Sequence, residues 1–224
     1  MTEVKKESTN TKLESFIFRN RKVIITIAGV IVAAAVVLCV AIGVKDSSNK
    51  KGLAAVDKVE FEYTVKSSGL TESEVSARQE KALADIGSLC GKSGIVGVRA
   101  NMLAADVYFA KKDYSSALSA YNAAAEKGRK FYTAAICKYN AAVCNEELGN
   151  KEEAVKLFAE CADTKDFLLA SHALFNSGRL QEELGLVKEA SETYKKATEK
   201  YSNDPWANLS QSRIIDLQAK GLID

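Results

Sequence analysis

A catalytic centre needs a nucleophile, a base or a metal set at workable spacing, and this 224-residue chain offers few candidates. His172 is the sole histidine, and no cysteine or carboxylate stands from it at the spacing of a zinc site or a catalytic dyad. It reads as a surface or groove residue of a helix. The stretch GSLCGKSG has the look of a phosphate-binding loop, but Gly87 and Gly91 are one residue too close for G-x-x-x-x-G-K-[ST], and the segment closes a helix instead of following a strand. Cys90, Cys137, Cys144 and Cys161 form an even set after the N-terminal apolar run, with Cys144–Cys161 as the one candidate bridge. Cys137 and Cys144 stand about 10 Å apart along one helix and cannot pair. The favoured reading of all four is small buried apolar side chains. Neither enzymatic activity nor a cofactor or metal is expected from these residues.

The elements around them follow from composition. A single proline, few glycines and abundant Ala, Glu, Lys and Leu favour long helices, and the expected fold class is all-α. The net charge of +2 argues against a nucleic-acid partner. From Val23 to Val44 there are 22 consecutive uncharged residues, about 33 Å as a helix against a hydrocarbon core of about 30 Å. This predicts a single transmembrane helix at 23–44 behind a basic tail at 1–22. Arg19, Arg21 and Lys22, with Lys5, Lys6 and Lys12 behind them, outweigh the more scattered Lys45, Lys50, Lys51 and Lys58, so the tail is expected in the cytoplasm and the remainder outside. The run exceeds the apolar length of a usual signal peptide, and Leu38 is too large to precede a lipidated Cys39. Gly29 and Ala33 form a weak small-xxx-small pair.

Residues 45–70 read as a linker and amphipathic segment, with KDSSNKKG at 45–52 exposed and polar. After it, Leu53, Val56, Glu60 and Tyr63 suit a helical face better than Val59, Phe61, Tyr63 and Val65 suit a strand, because no later strand exists to pair with them. Thr71 and Glu74 have capping-box spacing, and Val75, Leu83, Ile86 and Leu89 supply a stripe that stops at Gly91, making 71–97 an N-terminal capping segment. From Val98 the sequence repeats. DYSSALSAYNAAA, NKEEAVKLFAECA and LVKEASETYKKAT align Ala117, Ala154 and Ala190, which lie 37 and 36 residues apart. Each precedes an aromatic by four residues (Tyr121, Phe158, Tyr194), and a small residue follows three later (Ala124, Cys161, Ala197). Small residues let two helices approach, and the aromatic fills the wedge between hairpins. Gly149 and Gly185 stand where the first helix of a pair must end in a left-handed turn. Asp204, Pro205 and WANLSQSRIIDLQAK begin a closing helix over 206–224, with Trp206, Leu209, Ile214 and Leu217 available to cover the last hairpin.

This pattern over residues 98–205 resembles the tetratricopeptide repeat family, to which Tyr108, Tyr114, Asn140, Asn176, Gly178 and Pro205 also conform. Lys112 replaces a turn glycine, Asn145 and Gln181 replace an aromatic, and the units run two or three residues longer than the family's usual length. The resemblance implies a solenoid of three repeats with capping helices at both ends, and a groove lined by the first helix of each pair. In that register the groove residues are Arg99, Met102, Asp106 and Phe109, then Ile136, Tyr139, Val143 and Glu146, then His172, Phe175, Arg179 and Glu182. The lysine and asparagine pattern of chaperone-docking members is not evident. The architecture of anchor, spacer and repeats is similar to that of bacterial inner-membrane ancillary translocon-associated repeat proteins. It implies an envelope scaffold whose groove binds a protein or peptide, with the translocon, secreted chains or periplasmic chaperones as partners. The alternatives are a homo-oligomeric envelope assembly protein and an import receptor with cytosolic repeats.

Overall fold

The structure is a computed structural model that describes residues 3–65 and 68–224, with the side chains of residues 3–12 outside the described set. The lysines of the basic tail at positions 5, 6 and 12 therefore have no described side chains, and residues 66 and 67 of the expected linker also lie outside the described residues. All regular structure among the described residues is helical, as the composition predicts. The elements are α1 (Glu3–Thr64), α2 (Glu72–Cys90), α3 (Gly94–Ala110), α4 (Tyr114–Lys127), α5 (Thr133–Glu147), α6 (Lys151–Ala162), α7 (Ala170–Glu183), α8 (Val187–Lys200) and α9 (Pro205–Ala219). The chain forms two compact units, Met1–Lys51 and Gly52–Asp224.

In the first unit α1 carries the apolar run, which is exposed along Val23–Val44. This helix is long and apolar enough to cross a membrane by length and composition. Most of the KDSSNKKG stretch is exposed, Asn49 and Gly52 being half-buried, and all of it is helical. No proline interrupts it, and Asp46 and Lys50 pair across one turn at 2.9 Å.

In the second unit the last turns of α1 pack against α2 and α3. Val56 and Val59 join Ala82, Ile86, Val96, Leu103 and Val107 in one core cluster. The helical reading of 53–64 holds, and Val59 lies on the inward face. The capping box at Thr71 and Glu74 is present in both directions. Gly91 closes α2 in a right-handed conformation, and the left-handed glycine of that loop is Gly94.

Three hairpins follow, α3–α4, α5–α6 and α7–α8, the first starting at Gly94 instead of Val98. Their turns share one hydrogen-bond pattern. The amides of Asp113, Asn150 and Leu186 donate to the carbonyls of Tyr108, Asn145 and Gln181 at 3.0, 2.8 and 2.8 Å. The residue before each is left-handed: Lys112 at φ 60°, Gly149 at 80° and Gly185 at 75°. Lys112 therefore makes the same turn as the glycines, at the steric cost of a Cβ in that region. Asn145 and Gln181, the polar substitutes for an aromatic, are satisfied locally: Asn145 donates to the Ala141 carbonyl at 3.0 Å, and Gln181 accepts from the Thr193 hydroxyl at 2.8 Å.

The aligned small residues Ala117, Ala154, Ala190, Ala124, Cys161 and Ala197 are all fully buried, as are Phe158 and Tyr194. At the last hairpin a Cβ on Gly178 would lie 2.5 Å from a ring carbon of Tyr194, so only glycine admits this approach. In α9, Asp204 accepts from the Trp206 amide at 2.9 Å, and Ile214 and Leu217 are buried. Leu209 is 46% exposed and does not cover the hairpin. The inward stripe of α9 runs Ala207, Ser210, Ile214, Leu217, and Leu209 falls off that face.

Candidate protein-binding face

The expected groove residues sit on α3, α5 and α7, but the structure gives them unequal tasks. Tyr139 is only 7% exposed and meets Phe158 edge-on at 5.2 Å. It is a core residue, which corrects its expected place in the groove, because its ring fills the space between α5 and α6. Its hydroxyl accepts from the Asn176 amide at 2.9 Å and lies 2.9 Å from Nδ1 of His172. A hydroxyl that already accepts one hydrogen bond has its own proton free for Nδ1, which suits a neutral His172 protonated on Nε2. Burial pushes the His172 pKa down, with Arg179 adding to this and Asp204 opposing it. The other face of the imidazole stacks on Trp206, centroids 3.6 Å apart. Phe175 packs beside Trp206 at 5.3 Å. His172 is thus a structural link between α5, α7 and α9.

The charged residues form a ladder between successive first helices. Arg179 on α7 binds Glu146 on α5 at 2.7 Å and Glu183 at 2.8 Å. Arg213 on α9 repeats the contact one step on, binding both carboxylate oxygens of Glu182 on α7. Tyr194 also donates to Glu182 at 2.6 Å. Burial pushes the Glu182 carboxyl upward, but the hydrogen bonds from Arg213 and Tyr194 outweigh it and hold the group below the usual carboxylate range. Arg99 on α3 reaches back to Asp57 at 3.1 Å and Glu60 at 2.7 Å on α1. Asp106 accepts from the Tyr121 hydroxyl, tying α3 to α4. Arg99, Glu146, Arg179 and Glu182 therefore brace neighbouring helices. Sequence reasoning missed Arg213, which follows Arg179 by 34 residues and so falls outside the period of 36 or 37 set by the aligned alanines.

The half-buried apolar residues between these struts are Met102, Phe109, Ile136, Val143 and Phe175. Met102 borders the cluster of Ala124, Ala125 and Cys137, and Val143 borders that of Phe158 and Leu174. On the other side of the hairpins are open clefts. One of about 590 Å³ is lined by Asn122, Arg129, Phe131, Tyr132, Lys138 and Leu157. Another of about 370 Å³ lies between α2, α3 and α4, beside Cys90, Asn101, Tyr108 and Ser116. The loop residues Phe131 and Tyr132 were not among the expected site residues.

The cysteines are free thiols in this structure, the proposed Cys144–Cys161 bridge included, and the two belong to different core clusters. Burial pushes Cys137 and Cys144 up to about 11 and Cys161 up to about 12, which leaves them inert thiols at neutral pH.

Comparison with known proteins decides the family. Tetratricopeptide repeat models match residues 102–167 and residues 172–204, covering the second helices, left-handed turns and buried small residues described above. The chain is a tetratricopeptide-repeat protein. It is 35% identical over 152 residues to a TPR repeat-containing protein of Treponema pallidum (strain Nichols), a match covering 66% of this chain. The chain spans 64% of that relative's length. Tetratricopeptide repeats are protein-interaction modules, typically without enzymatic activity, so protein partners are implied for this array.

Proposed function

We propose that this protein is a membrane-anchored interaction scaffold of the bacterial cell envelope. Residues 23–44 hold the chain in the inner membrane, and the repeats outside bind a protein or an extended secreted chain. The observation that carries the reading is the pairing of an exposed 22-residue apolar run with a repeat array on one chain. Such a run gains nothing in water, whereas lipid accepts every one of its side chains. Arg19, Arg21 and Lys22 at its N-terminal edge favour a cytoplasmic tail. The tether confines the repeats to the membrane surface and raises their effective concentration near a membrane-embedded partner such as a translocon.

On the repeats, the contact surface is the set of half-buried apolar residues Met102, Phe109, Ile136, Val143 and Phe175, framed by the arginine–carboxylate ladder. A partner segment that covers them completes their burial at little ordering cost, since the ladder already fixes the helices. Photocrosslinking from Val143 in intact cells tests the binding, with Glu192 on the exposed face of α8 as control position. A discrete adduct from Val143 and none from Glu192 is expected. Equal labelling of many abundant proteins from both positions would contradict a dedicated face, and an adduct of the chain with itself would favour the homo-oligomeric assembly reading.

A further inference from the structure

The loops that join one hairpin to the next share one edge of the second unit. Direct neighbours trace that edge. A Cβ on Gly52 would lie 2.8 Å from the side chain of Val96 at the start of α3. Val98 stands against Gly128, at the end of α4, and Gly128 against Thr133, the first residue of α5. The Cys161 thiol, at the end of α6, lies 3.6 Å from the Ala135 carbonyl in the first turn of α5. Lys196, in the last turns of α8, binds Asp163 in the α6–α7 loop at 2.7 Å. Gly52, where the chain enters this unit, therefore sits on the edge that carries the 128–132 and 163–169 loops.

This edge carries exposed apolar side chains at its tips. Leu168 is 95% exposed, Tyr132 82%, Phe131 43% and Leu169 40%. Basic residues flank them, Arg129 and Lys130 before Phe131 and Lys165 before the Leu168 pair, with Arg129 paired to Glu126 at 3.4 Å and Asp166 standing between Lys165 and Leu168. The acidic Asp163 is neutralised by Lys196. Leucine and aromatic tips beside Lys and Arg have the chemistry of an interfacial membrane contact, in which apolar groups enter the acyl boundary, tyrosine rests at headgroup level and basic groups meet anionic headgroups.

The chain length supplies the partner. Only residues 45–51 separate the apolar run from Gly52, and even fully extended they reach at most about 25 Å. First helices pack about 10 Å apart, which keeps the loop tips within a few tens of ångströms of Gly52. We infer that the edge formed by the 128–132 and 163–169 loops docks on the bilayer surface into which the chain's own N-terminal helix inserts, with Phe131, Tyr132, Leu168 and Leu169 as the inserting side chains. This rests on the anchor reading above and adds an orientation to it: the repeats lie edge-on to the membrane, and the first-helix face stands across the surface, open to a partner arriving from the side.

The test uses the full chain in vesicles of phosphatidylethanolamine and phosphatidylglycerol that contain brominated phosphatidylcholine. A tryptophan is introduced at a loop tip, Leu168→Trp or Tyr132→Trp, or at the opposite edge, Leu186→Trp, which is itself 41% exposed in the α7–α8 turn. The constant contribution of Trp206 is measured in the unsubstituted chain and subtracted. Docking predicts blue-shifted emission and several-fold stronger quenching at 132 and 168 than at 186. Protein that floats with the vesicles after an alkaline wash but shows equal, weak quenching at all three positions overturns docking, leaves the anchor standing and assigns this edge to a protein. Protein stripped from the vesicles by the wash overturns the anchor, and docking with it.

Discussion

Gly178 and His172 show how single side chains set the last hairpin. A methyl group at 178 would collide with the ring of Tyr194, which is fully buried and hydrogen-bonded to Glu182, so it cannot swing away freely. Gly178→Ala is expected to destabilise the fold by about 1–3 kcal/mol in chemical denaturation, despite the better helix propensity of alanine. Unchanged or raised stability would mean that α7 and α8 are not this close. His172 makes a pH prediction. Its folded-state pKa lies below the ordinary 6.5, so the unfolded chain binds the proton more readily. Stability from this residue is therefore present above the unfolded value and lost as pH falls through it towards the folded value. Denaturation midpoints should drop between about pH 7 and 5.5 in the native chain, and His172→Gln should flatten that slope. Equal slopes in the two proteins would show that His172 is not buried neutral between Tyr139 and Trp206.

At the scale of helices, the arginine–carboxylate contacts differ in depth. Glu182 keeps 13% of its side chain exposed and takes bonds from Tyr194 and from two nitrogens of Arg213, itself 41% exposed, whereas Glu146 and Arg179 are 28% and 33% exposed and share one bond. A double-mutant cycle on Arg213 and Glu182 should give a coupling of about 1.5–3 kcal/mol, and one on Arg179 and Glu146 under about 1 kcal/mol. The reverse order would place the closing helix α9 more loosely than these contacts imply. How far these elements were legible in the sequence depended on the kind of signal. Spacing exposed the small residues and turn glycines, because a period of 36 or 37 residues repeats the same packing problem at each hairpin. The capping box at Thr71 was legible because it is a local pair. Side-chain direction was harder. Tyr139 looked like a groove aromatic, and only the positions of Phe158, Asn176 and His172 turn it inward. Leu209 looked like a covering residue, but the neighbouring Ala207 and Ser210 take the inward positions, because close contact with α7 and α8 favours small groups there. The polar stretch at 45–52 gave no sign of its helical state, since Lys, Ser, Asp and Asn occur in exposed helices and linkers alike. The apolar loop tips at 131–132 and 168–169 lie outside the repeated pattern, so the register that located the groove passed over them.

The whole chain joins a lipid-compatible helix to a rigid array of interaction modules with no more than seven residues between the apolar run and the packed unit. Under the proposed anchoring, so short a connection would confine the array to the membrane surface and restrict which partners reach it. The central claim is that the repeats are displayed outside a membrane that the N-terminal tail does not cross. Labelling intact cells with a membrane-impermeant thiol reagent tests it directly, using the full chain in a Cys90→Ser background with a cysteine at Ser48 or at Ser8. Cys39 lies within the apolar run, and Cys137, Cys144 and Cys161 are buried, so the introduced thiol dominates the signal. Label at position 48 and none at position 8 is the predicted result. Label at position 8 alone, or at neither position until the cells are broken open, would contradict it.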